Sequence, residues 1–314
     1  MITNHFFKQD KDEKVLRTDN FYELLRFFEA KDEVNIVLAG YVSDVIEDLL
    51  LNEYKLVSDY LLSNLTIIEN LIRHSYDYSV IKKILSPLVF QKSNGLSYSV
   101  IEDEENKDDR KLSKNLLVVA SKLLNKLKEG DSEEACANIL NMFIDVIDLD
   151  DDEKSRIEAL EELLYSERTM GILFDFMANS STSKSNLNLC LQALKKLILF
   201  YPKVRDNRSN KEKTDEDDKE KQEPKVNFCC LIQNFVDKID FLNDTLKNQN
   251  SDSILDTRGD NKRLLSSTRI YVLKLLISVI ELKNSIINVH LSLSGIFLTI
   301  QVSSKGSGCR VQPQ

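Results

Sequence analysis

The sequence predicts an all-α fold, an armadillo- or HEAT-like helical solenoid with charged disordered linkers, and three observations predict it. Only 8 Gly and 4 Pro interrupt 314 residues and no Trp is present, a shortage of turn-formers that suits a chain made mostly of helix. Short apolar stripes recur along the chain at a period of 3.6 rather than 2. Three stretches far apart also share one pattern, with apolar residues at i, i+3, i+4 and i+7. They are Ala120, Leu123, Leu124 and Leu127; Cys190, Ala193, Leu194 and Leu197; and Val272, Leu275, Leu276 and Val279. A short helical hairpin cannot bury its apolar face alone, so short helices with short connections point to neighbours stacked in a row rather than to a closed bundle.

Residues 1–18 are expected to be a flexible N-terminus and residues 19–301 the helical domain. "NFYELLRFFEA" opens it, and "NIVLAGYVSDVIEDLLL" follows over residues 35–51. There Leu38, Val42, Val45, Ile46 and Leu49 fall at helical spacing and are expected to face the core, with Ser43, Asp44, Glu47 and Asp48 on the other arc. Glycine costs a helix interior about 0.5–1 kcal/mol relative to alanine, so Gly40 is expected to mark a close packing contact. "EYKLVSDYLLSN", "TIIENLIRH" and "YSVIKKILSPLVF" come next, the last with a stripe of Val80, Ile81, Ile84, Leu85 and Leu88. Pro87 should end or kink that helix. Residues 91–111, with the charge run "EDEENKDDR", are expected to be a solvated break.

A second block runs to about Tyr201. "GDSEEACANILNMFIDVIDL" opens with Asp131 or Ser132 as N-cap and has Glu133 and Glu134 in the first turn, where carboxylates favour the helix dipole. "SNLNLCLQALKKLILFYP" is expected to stop at Pro202, and residues 203–225, nearly free of apolar side chains, are expected to be a disordered linker. A third block holds "NFCCLIQNFVDKIDFLNDTLKNQ" and "LLSSTRIYVLKLLISVIEL". "NVHLSLSGIFLTIQV" then alternates apolar and polar residues about Ser294-Gly295, which by period alone reads as a β-hairpin. Residues 302–314 are expected to be a disordered tail.

Composition narrows the function. Lys+Arg number 42 against Asp+Glu 51, a net charge of −9, which argues against a general affinity for nucleic acid or an anionic membrane surface. Residues 284–304 carry no charge, yet Asn284, Ser285, Asn288, His290, Ser292, Ser294 and Gln301 make them too polar for a lipid-spanning helix. The 5 Cys have no framework spacing and read as reduced thiols, and no apolar leader precedes residue 19, so the expected compartment is cytoplasmic or nuclear. His5, His74 and His290 stand at no metal-ligand spacing from one another or from a Cys. Cys229-Cys230 lacks the C-x-x-C geometry, "KGSGCR" is a weak glycine match, and no Walker motif appears. Carboxylate runs such as Asp148 to Glu153 read as solvated caps. No catalytic, cofactor or metal residue is predicted, and the chain is not expected to be an enzyme.

"NIVLAGYVSDVIEDLL" followed by "LVSDYLLSNLTIIENLIRHSYDYSVIKKILSPLV" resembles the SAPS-domain proteins, the regulatory subunits of protein phosphatase 6. The matching positions are Leu38, Ala39, Gly40, Tyr41, Ser43 and Val45, then Asp59, Tyr60, Leu61, Leu71, Ile72, Arg73 and His74. "LLSSTRIYVLKLLISVIELKNSIINVHLSLSGIFLTI" is similar to a later helix series of the family, with Arg269 on a family arginine and Gly295 on a family glycine. The likeness spans most of Asn20 to Ile300 and favours helix over hairpin after Asn284. Against the family pattern the chain is expected to lack an upstream helical portion, and "VSSKGSGCRVQPQ" resembles nothing in it.

The resemblance implies a non-enzymatic scaffold that binds a protein phosphatase 6 type Ser/Thr phosphatase catalytic subunit, with metals and catalysis belonging to that partner. Tyr41, Arg73, His74 and Arg269 are the contact residues it suggests. His74 has a second reading, because an imidazole after "LIR" can cap the carbonyls at a helix end. The alternatives are an α-solenoid adaptor for another partner, in transport or cytoskeletal attachment, and, third, an α-helical enzyme whose active site is not motif-coded.

Overall fold

The structure, a computed structural model, describes residues 3–10, 13–90, 107–130, 132–147, 164–179, 181–212, 228–247, 253–255, 261–263 and 266–306. The chain divides into two units, residues 1–159 and 160–314. The all-α expectation holds: among the described residues, strands form only two short hairpins.

The first unit opens with helical turn α1 (Thr3–Phe6) and an antiparallel hairpin, β1 (Phe7–Asp10) and β2 (Glu13–Leu16), that pairs Phe7 with Leu16. This differs from the flexible N-terminus expected for residues 1–18. The reason is burial, since Phe6, Phe7 and Leu16 are all in the core, and Phe6 meets Phe21 edge-on. Then follow α2 (Thr18–Leu25), a 3-10 turn (Arg26–Glu29), α3 (Ile36–Asn52), α4 (Tyr54–Ser63) and α5 (Leu65–Arg73). A π-helical segment (Val80–Leu85) runs into α6 (Ser86–Phe90), and α7 (Lys107–Glu129) and α8 (Glu133–Ile147) complete the described part.

Two contacts fix how α3 lies on the π-helical segment. Gly40 faces Ser79, and Asp44 pairs with Lys83, 39 residues further on. Both chains advance together past the contact, so the two helices stack in parallel at a spacing close to the ~40–47 residues of armadillo and HEAT repeats. Pro87 does not end its helix. Ser86 N–H still closes a π-type bond to the Ile81 carbonyl, and the ladder then changes from π to α at the residue where proline has no N–H to give.

Two helix starts answer or revise expectations. Ser132 caps α8, its Oγ accepting from Ala135 N–H at 3.0 Å; Asp131, the other expected cap, lies outside the described residues. Helix α7 begins at Lys107, inside the break expected over 91–111; residues 91–106 lie outside the described residues.

The second unit holds α9 (Glu167–Ala178), α10 (Lys184–Glu212), α11 (Phe228–Asp237), α12 (Ile239–Lys247), the hairpin β3 (Ser253–Leu255) and β4 (Asn261–Arg263), α13 (Ser267–Glu281), α14 (Ser285–Leu293) and α15 (Ile296–Gly306). Cys190 Sγ donates to the Leu173 carbonyl and Tyr165 Oη to the Leu197 carbonyl, so α10 runs back antiparallel along the 165–178 stretch. Helix α10 continues through Pro202 to Glu212, past its expected stop; proline's fixed φ is itself helical, and one missing bond does not end the ladder. The rest of the expected linker, residues 213–225, lies outside the described residues. The last two helices replace the β-hairpin that alternation suggested, and α15 extends five residues into the expected tail, to Gly306. Gly295 turns the chain between α14 and α15 at φ +72, a conformation that suits glycine. Asn243 on α12 holds that turn, donating Nδ2–H to the Ser294 carbonyl at 2.9 Å and accepting at Oδ1 from Thr299 Oγ1 at 2.7 Å.

All twelve residues of the recurring i, i+3, i+4, i+7 pattern are buried. They face the helices stacked beside them, as a repeat needs its neighbours to do.

Candidate functional site

Helix α3 is capped by the Asn35 side chain, which accepts from Val37 and Leu38 N–H. Its buried face is Ala39, Ser43, Ile46, Leu49 and Leu50; of the row expected to face the core, Ile46 and Leu49 are buried, Val42 and Val45 are half-buried, and Leu38 is 52% exposed. Ser43, expected outside, is fully buried. The side that carries Ala39, Gly40 and Ser43, continued by Ile46, Leu49 and Leu50, packs inward with Gly40 facing Ser79 of the π-helical segment, and Ile36, Val37 and Leu38 are left outside. Tyr41 thus points away from the core and is 65% exposed, with Ile36 and Val37 as open as it is. The contact at Gly40 is ordinary, however: an added Cβ would lie 3.8 Å from Ser79 Oγ, so the close approach expected there is not required by space.

His74, one of the suggested contact residues, is buried. Its ring is 1% exposed and ties distant segments together. Nε2 lies 3.1 Å from the Phe28 carbonyl, which can only accept, so Nε2 carries the proton. Nδ1 then accepts from the Tyr76 hydroxyl at 3.0 Å, and that hydroxyl accepts from Val34 N–H at 2.9 Å. The ring caps no carbonyl of its own helix; the His74 backbone N–H does that, bonding to Asn70 and Leu71 carbonyls. Burial pushes the imidazole below its usual pKa, against the hydrogen bond it donates to the Phe28 carbonyl, and the positive charge of Arg73 adds to the lowering. Asn138 of α8 extends the joint by donating to the Ser75 and Tyr76 carbonyls at 3.1 and 2.9 Å.

Arg73, one residue away, is exposed at the end of α5, near the Glu69–Lys122 ion pair that joins α5 to α7. Arg269 belongs to the second unit, half-buried in the first turn of α13, where its N–H is held by the N-cap Ser266. The structure therefore keeps Tyr41 and Arg73 on the surface of the first unit, buries His74, and leaves Arg269 partly accessible.

The residues that periodicity placed on the wrong side are Leu38 and Ser43. A second apolar face went unnoticed as well. Helix α14 buries Ile287 and Leu291 and exposes Ile286, Val289 and Leu293 on the opposite side. Apolar stripes on both sides of one helix produce the alternation that imitated a strand.

Among the described residues no group of three or more His, Cys, Asp and Glu could hold a metal ion, and no helix is long and apolar enough to cross a membrane. Cys136, Cys190 and Cys230 form no disulfide among the described residues, and burial pushes Cys190 far above the usual thiol range. No curated protein and no solved structure shows a significant match to the chain. The family model described as SIT4 phosphatase-associated protein matches residues 46–295, a span that contains Arg73, His74 and Arg269 but begins after Tyr41. Stacked helices with solvent-facing apolar rows and a match over most of its length give one conclusion: the chain belongs to the SIT4 phosphatase-associated protein (SAPS) family.

Proposed function

We propose that this chain is a non-catalytic regulatory subunit that binds the catalytic subunit of a protein phosphatase 6 type Ser/Thr phosphatase and directs its activity, in the cytoplasm or nucleus. The single observation that carries the reading is the family match over residues 46–295. The fold supports it, since stacked helices offer extended surface for protein contacts. Residues 19–301 would form the regulatory domain, with Tyr41, Arg73 and Arg269 in contact with the catalytic subunit and the reaction carried out by the partner's own site.

The test is an affinity pull-down of the tagged chain from its native extract, followed by mass spectrometry and a phosphatase assay on the eluate. Recovery of a protein phosphatase 6 type catalytic subunit with activity is expected, reduced by Arg73→Ala or Arg269→Ala. A chain that is folded and helical by circular dichroism yet recovers no phosphatase would replace this reading with that of an adaptor for a different partner.

A further inference from the structure

Residues 29–48 set an apolar face inside an acidic frame. On α3, Ile36, Val37, Leu38 and Tyr41 each expose half or more of their surface, and Val37, Leu38 and Tyr41 share one side of the helix. Val45, half-buried, continues that row by one turn. Ahead of it, Glu29, Asp32 and Glu33 are exposed in the segment that leads into the helix; behind it, Asp44 and Asp48 are exposed. With Glu47, six carboxylates against Lys31 give these twenty residues a net charge of −5, compared with −9 for the whole chain, and of the six Asp44 is paired with Lys83 of the π-helical segment. The frame is held in place, because Val34 N–H is bonded to Tyr76 Oη at 2.9 Å and the Asn35 side chain caps α3.

We propose that this face docks an amphipathic segment of a partner protein, its apolar side chains seated on Val37, Leu38 and Tyr41 and its Lys or Arg residues meeting the surrounding carboxylates. Apolar contact supplies affinity at the centre of such a patch, and the charged rim selects the partner and speeds encounter. A second copy of this chain fits poorly, since it would set −5 against −5 across the contact. The apolar row on α14 makes a useful contrast: residues 284–304 carry no charge at all, so that face has no preference for the sign of a partner.

The probe is a fluorescent synthetic peptide of about 18 residues, five helical turns, with leucine on one face and lysine on the other, beside a counterpart with every lysine replaced by glutamate. Anisotropy titrations on the full chain should show the lysine peptide binding about tenfold or more tightly than the glutamate peptide, and weakening as salt rises from about 0.1 M to about 1 M. Val37→Ser/Leu38→Ser/Tyr41→Ser should weaken it about tenfold, and Asp32→Asn/Glu33→Gln/Asp48→Asn, which removes only surface charge, should flatten the salt dependence. Val289→Ser/Leu293→Ser on α14 should leave binding unchanged. Equal binding of the two peptides, undiminished binding by the α3 triple variant, or equal loss in the α14 variant would overturn the proposal. So would a wild-type dimer in multi-angle light scattering that the α3 variant dissociates, which would assign the face to a second copy. The peptides contain no phosphatase sequence, so these outcomes leave the pull-down result untouched.

Discussion

Two buried polar joints, one in each unit, do the same mechanical work with different chemistry. In the first, the His74 ring ties the end of α5 to Phe28, and through Tyr76 to Val34. In the second, the Asn243 amide ties α12 to the turn between α14 and α15 through Ser294 and Thr299. Both side chains are almost fully buried, and both bridge segments more than 40 residues apart in sequence. The difference is that an imidazole can gain a proton near neutral pH and an amide cannot. The comparison teaches that a single buried polar side chain can fasten segments far apart in sequence, and that the choice of side chain decides whether the fastening responds to acid.

The largest expected effect comes from removing the first joint. His74→Ala deletes a buried ring and leaves the Phe28 carbonyl and the Tyr76 hydroxyl without their partner, a loss of about 2–4 kcal/mol. Urea unfolding followed by circular dichroism measures it, and a loss under about 1 kcal/mol would show that the ring is replaceable by water. Next in size, Asn243→Ala should cost about 1–3 kcal/mol by stranding the Ser294 carbonyl and the Thr299 hydroxyl. The same measurement applies, and an unchanged midpoint would mean that Gly295 alone sets the turn.

Acid sharpens the contrast further. Because burial lowers the pKa of His74 in the fold, the unfolded chain takes up a proton first as pH falls. The stability that neutral His74 provides is fully present above the ordinary histidine value of about 6.5 and is lost as pH drops below it toward the lower folded value. Thermal melts between neutral pH and mildly acidic pH should show a decline that His74→Gln reduces and Asn243→Ala leaves in place. A decline of the same size in His74→Gln would assign the acid response to other groups. The smallest effect expected is a gain. Gly40→Ala places a methyl 3.8 Å from Ser79 Oγ, ordinary contact, and should stabilise the chain by about 0.5–1 kcal/mol through helix propensity. A lowered melting temperature would show that α3 and the π-helical segment need to come closer than they stand here.

As one of four N-x-Ser/Thr sequons Asn243 could be read as a glycan acceptor, but its side chain is buried and both of its amide atoms are bonded inside the unit. The N-terminal hairpin was illegible for a related reason: residues 3–16 contain only a few apolar side chains, and their value depends on Phe21 being there to receive them.

What the sequence determined by itself is local. The spacing of apolar residues made the helices, the three recurring stripes were core in every case, and the scarcity of glycine and proline excluded a β-rich fold. The family, too, was legible in "LVSDYLLSNLTIIENLIRH" and the stretches after it, which lie inside the matched residues 46–295. What only the tertiary structure decided is which side of an ambiguous helix faces inward. Helices α3 and α14 carry apolar residues on two arcs, so hydrophobicity alone gives no unique answer. On α3 the arc of Ala39 and Ser43 faces inward, with Gly40 beside them against Ser79 of the π-helical segment, which left Leu38 and Tyr41 outside. For His74, "LIRH" is the same string whether the ring meets solvent, a partner or Phe28, and the outcome rests on a carbonyl 46 residues away. Periodicity is written in the chain; the shape of the surface that receives each face is not, because it is made by residues elsewhere.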